Sequence, residues 1–158
     1  MRRSTVNVCP HADRPHVREL CGDAPTLLAL SVIRYIASAA MTADAACWDA
    51  AFAAAEDALG PVEGPQFVGV MAGLTRALRV ERQGDWHFLP ATCCRATDDE
   101  ADLIRALRAA GGDGERACVE LARTPRCPRI RDSLRDVAAC LHQAAGSLAH
   151  PPEARPIH

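Results

Sequence analysis

Lysine is absent from this chain: all 18 basic residues are arginine. Together with the dominance of alanine among the apolar residues, this points to a GC-rich coding bias and describes the source genome more than the protein's task. Aromatic residues make up only 4 %, too few for the stacking platforms that hold single-stranded nucleic acid. A net charge of −2 and a pI near 6.3 remove the global cationic field that drives non-specific binding to nucleic acid or acidic membranes. Any such partner needs a local patch. Period-two alternation is never sustained, which excludes a sheet-based fold, and no internal repeat indicates a solenoid. A Gly-rich phosphate loop, an HExxH pair and a nucleophile elbow are all missing.

Long hydrophobic runs are also scarce. Arg2 and Arg3 are followed by a polar stretch with two prolines, so no apolar signal core succeeds them directly. The run Leu27 to Met41 is shorter than a membrane span and carries Arg34 at its middle, so it reads as a core helix. A twin-Arg export leader using that run is the alternative. The expectation is a cytoplasmic protein with no membrane partner.

What is present is helical periodicity. With 158 residues the chain supports one domain that buries roughly 70 % of its unfolded surface. Asp23 and Pro25 open a helix to about Met41, apolar on nearly every side and therefore central. Thr42 is positioned to cap the next helix, where Trp48, Ala51, Phe52, Ala55 and Leu59 form a core stripe until Gly60. Gly60-Pro61 and Gly64-Pro65 bracket a connection, and Pro65 opens a helix to about Arg82. On it, Gly69 and Gly73 permit close helix packing. Trp86 to Pro90 is the one strand-like piece. Thr97 and Glu100 form a capping box, Gly111-Gly112 closes that helix, and further helices cover about 115–123 and 128–146. The reading is an all-α, single-domain bundle of six or seven helices: a Cys/His-containing irregular arm over 1–22, a helical domain over 23–146 with one short extended loop, and a Pro-containing tail over 147–158.

Eight cysteines exceed what such a fold needs. In a reducing compartment they are thiols or metal ligands and not a disulfide framework. Cys9, His11, His16 and Cys21 are four zinc-type ligands in a segment with little apolar content, which a metal could order. The solvated alternative leaves Cys21 packed at a helix entrance. His87, Cys93 and Cys94 lie on the connection between two helices and could complete a shared zinc or thiol site with the arm. A Cys93 or Cys94 nucleophile with His87 as base is the enzyme alternative. Cys127 precedes Pro128 at a helix start between Arg126 and Arg129, where dipole and cations favour a reactive thiolate; the alternative is a cysteine simply tolerated at an N-cap. Cys47, Cys118 and Cys140 read as core residues.

Arg123, Arg126, Arg129, Arg131 and Arg135, interrupted only by Asp132, make a corner suited to phosphate or an acidic partner. Arg76, Arg79 and Arg82 form a second arc. The leading expectation is a small accessory or regulatory binding protein with a Cys/His metal or redox-sensitive thiol site, working with a protein partner or as a helix-mediated homodimer. The alternatives are a DNA-associated regulator using the Arg corner and a Cys-dependent enzyme.

Overall fold

The computed structural model describes residues 9–110 and 114–150, and its fold is all-α. Six helices follow one another: α1 (Val17–Cys21), α2 (Ala24–Thr42), α3 (Ala45–Glu81), α4 (Asp98–Ala109), α5 (Gly114–Ala122) and α6 (Pro128–Ala149). The expected Gly111-Gly112 stop and residues 151–158 of the tail lie outside the described residues. The segment expected to be an irregular arm contains α1, which is anchored by buried Val17 and Cys21. The extended loop forms no strand; one isolated bridge pairs His16 with Arg95.

Helix α2 is the centre. Its Asp23 cap accepts from the Thr26 amide at 2.7 Å, and Leu30, Val32, Ile33 and Ile36 are buried. It is long and apolar enough to cross a membrane, yet half of that stretch is buried inside the protein. Packed against α2 and α6, α3 is two helical segments meeting at Gly60, whose φ of 86° and ψ of 173° suit glycine alone. The connection expected between the two Gly-Pro pairs therefore shrinks to a single residue. Pro61 starts the second segment and Pro65 lies within its early turns. Asp44, not Thr42, caps the first segment, because α2 itself continues through Thr42.

The second segment turns back along the first. A Cβ on Gly64 would sit 2.7 Å from the Glu56 backbone, so the hairpin closes only because that atom is missing. Gly69 and Gly73 do the opposite of what their spacing predicts: both are exposed, and a Cβ on either meets nothing within 4 Å. Trp48 and Phe52 also leave the expected core stripe, at 38 % and 36 % exposure, while Ala51 and Ala55 fill the tight interior between segments. Phe67, Met71 and Leu74 supply the bulk there. Each such side chain contributes roughly 1.5–3 kcal/mol on burial.

Candidate functional site

The loop from Leu89 to Ala96 runs over the α2 core and is held by a buried charge. Arg34, 2 % exposed, extends from the middle of α2 to Glu100 in the first turn of α4. Its Nε donates to Glu100 Oε1 at 2.6 Å and its Nη2 to Oε2 at 2.9 Å, a bidentate pair. The remaining donors bind the loop backbone, with Nη1 2.7 Å from the Cys93 carbonyl and Nη2 2.6 Å from that of Arg95. Glu100 is also the capping-box carboxylate, accepting from the Thr97 amide at 2.9 Å and from the Leu89 amide at 3.2 Å. One carboxylate thus starts α4, neutralises Arg34 and orients the loop.

The loop in turn receives the N-terminal segment. Val17 N donates to Cys94 O at 2.9 Å, Ala96 N donates to Pro15 O at 3.0 Å, and Arg95 Nη1 donates to Arg14 O at 3.0 Å. These contacts bring Cys9 Sγ to 3.9 Å from Cys93 Sγ, 84 residues away in sequence. Both thiols are half-buried and Cys94 is exposed. A backbone hydrogen bond at His11, with the Cys93 and Cys94 thiols and Arg95, outweighs burial and pulls the Cys9 thiol below its ordinary value. Burial pushes the Cys93 thiol up, as does the neighbouring Cys9. The two sulfurs are therefore unequal, with Cys9 the readier to ionise.

Of the seven residues proposed as metal ligands, Cys9 and Cys93 are the pair whose side chains meet, with exposed Cys94 next along the loop. Cys21 is buried in the core, and burial raises its thiol to about 11. His16 caps α1, its Nδ1 accepting from the Arg18 amide. His87 turns to Asp99, with Nδ1 3.0 Å from Oδ2, and no hydrogen bond joins it to either loop thiol. Among the described residues no group of three or more His, Cys, Asp or Glu side chains, the unit zinc requires, is arranged to hold a metal ion.

Asp99 organises a second network that sequence spacing did not reveal. Arg82 and Arg123 both donate to its Oδ1 at 2.6 Å, and the His87 amide donates to Oδ2 at 2.8 Å. Burial by itself raises the Asp99 carboxyl, but the His87 amide and ring, with Arg82 and Arg123, hold it below the ordinary carboxylate value. Three acidic residues opening α4 were legible as a helix-start signal. Their distant arginine partners had no local signature.

Cys127 also differs from its expected setting. Its thiol is fully buried, 3.4 Å from Cys118 Sγ, and makes no cap hydrogen bond. The first amides of α6 at Arg129 and Ile130 instead donate to the Glu81 carboxylate, both at 2.9 Å. Cys118 is buried as expected, whereas Cys47 and Cys140 are only partly covered. In the arginine corner, Arg123, Arg131 and Arg135 are paired with Asp99, Glu115 and Asp132, while Arg126 and Arg129 have no ion pair among the described residues. No protein-family model matches the chain, and no curated protein or solved structure matches it.

Proposed function

We propose that this is a small regulatory or accessory binding protein whose responsive element is the thiol pair Cys9 and Cys93, with Cys94 beside it. The observation that carries the reading is the 3.9 Å approach of two sulfurs 84 residues apart in sequence, Cys93 being on the loop that Arg34 holds. Structural cysteines are normally buried and inert, whereas these are accessible in part and lie next to Arg95. Hydrogen peroxide is the fitting oxidant. The Cys9 thiolate attacks one peroxide oxygen, the O–O bond breaks, and the products are Cys9 sulfenic acid and, after protonation, water. The Cys93 sulfur then attacks the Cys9 sulfur, releases a second water with its own proton, and forms a disulfide. A thiol reductant reverses the step. Closing the bond requires the sulfurs to approach to about 2.05 Å, so oxidation would draw the N-terminal segment onto the loop and alter the surface offered to a partner. A cytoplasmic setting, in which the dithiol is the resting form, suits this role.

Mass mapping of the chain after treatment with one to two equivalents of hydrogen peroxide tests the reading. A Cys9–Cys93 linkage that is removed by dithiothreitol and absent from Cys93→Ser is expected. Sulfinic acid at Cys9 with no disulfide, or oxidation confined to other cysteines, would refute it.

A further inference from the structure

A second feature lies away from the thiols, where the C-terminal ends of α2 and α3 meet the start of α3. A cleft of about 500 Å³ is lined there by Ile36, Ala40, Trp48, Ala72, Arg76 and Val80. It adjoins a compartment of about 280 Å³ reaching Met41, Trp86 and Phe88, and Arg79 lines both. Together they fall within the roughly 300–1,000 Å³ typical of small-molecule sites. The walls of the larger compartment are mainly apolar, whereas Thr75, Arg82 and Asp85 also line the smaller one; no other element of the described chain covers the rim, where Met41 is 75 % exposed and Val80 56 %.

Two charged groups in this cleft lack ion pairs among the described residues. Arg76 and Arg79 lie one helical turn apart, and neither has a carboxylate or carbonyl partner among the described residues. Arg82, the next cation along the helix, is consumed by Asp99. The Trp86 ring lines the smaller compartment, with its indole nitrogen buried in the protein. Two guanidinium groups without ion pairs beside an apolar wall suit an occupant with an anionic head. The one carboxylate lining either compartment is Asp85, in the smaller one, away from Arg76.

We propose that this cleft binds an amphipathic anion of the fatty-acid class, its carboxylate held by Arg76 and Arg79 and its alkyl chain lying against Ile36, Ala40, Trp48 and Val80. The donors select an anionic head, and the apolar floor selects an unbranched tail.

The chain contains two tryptophans, and both line this cleft, so their emission reports occupancy directly. The reduced chain is titrated with sodium dodecanoate, and separately with dodecan-1-ol, below the micellar concentration. The use of reduced protein makes the outcome independent of the thiol pair. Saturable binding of dodecanoate is expected, weakened about tenfold by Arg76→Gln and again by Arg79→Gln, with dodecan-1-ol weaker than dodecanoate by at least as much. Both arginines are exposed and unpaired, so these variants should keep the parent melting temperature. The proposal is overturned by no saturable signal, equal affinity for the acid and the alcohol, variants that bind like the parent, or a self-associating chain whose dimer is abolished by Trp48→Ala. An acidic amphipathic peptide binding more tightly than dodecanoate would also overturn it.

Discussion

Replacing Arg34 by methionine probes the clamp on which the candidate site rests. The substitution keeps an unbranched apolar stem in the α2 core but removes both hydrogen bonds to Glu100 and those to the Cys93 and Arg95 carbonyls. Glu100, fully buried, is left with only the Leu89 and Thr97 amides. Breaking a buried ion pair from one side costs about 3–5 kcal/mol, a large share of the roughly 5–15 kcal/mol that holds a domain together. For a chain of this size that corresponds to a fall in melting temperature of about 6–20 °C. Adding Glu100→Gln removes the stranded charge while keeping a capping-box side chain at that position. The double variant should therefore recover part of the loss, about 1–2 kcal/mol. Urea unfolding measures both effects, and native-state alkylation of Cys93 and Cys94 reports whether the loop is released. A loss below about 1 kcal/mol for Arg34→Met, with unchanged alkylation, would refute the view that this pair holds the loop.

Glycine substitutions in α3 should have opposite signs. Gly64→Ala forces a Cβ to 2.7 Å from the Glu56 backbone and is expected to cost about 1–3 kcal/mol, whereas Gly69→Ala or Gly73→Ala meets nothing and should stabilise by about 0.5–1 kcal/mol each. Melting curves decide; a destabilising Gly69→Ala would mean that something covers that face. The Asp99 carboxyl is held below its ordinary 3.8, so its charge stabilises the fold above that pH, and the benefit is lost as pH falls through the lower folded value. Urea midpoints of the parent should decline below about pH 4 more steeply than those of Asp99→Asn, and parallel curves would contradict the assignment. With iodoacetamide at neutral pH, exposed Cys94 and the readily ionised Cys9 should react first. Cys21 and Cys118, raised by burial to about 11 and about 12, should resist until the chain unfolds. Peptide mapping over time checks the order, and early labelling of Cys118 would show that α5 opens.

The sequence by itself determined what depends on neighbours three or four residues away. The Asp23 cap, the Thr97–Glu100 capping box, the break at Gly60 and the buried stripe of α2 all follow from local hydrogen bonding and helical period. Helix ends are written in the chain because the groups that satisfy them are close in sequence. Only the tertiary structure decided which side of each helix is covered. Ala51 and Trp48 share a periodic stripe, yet the hairpin at Gly64 is so tight that alanine fills the inside and tryptophan is turned outward. Cys127 had every local mark of an activated thiol, but a carboxylate from α3 took its helix amides and α5 covered its sulfur. The same holds for the candidate site. Arg34 meets Glu100 across 66 residues and Cys9 meets Cys93 across 84. A buried charge names its partner only by proximity in space, so these pairings were set by how the loop and the N-terminal segment close over α2.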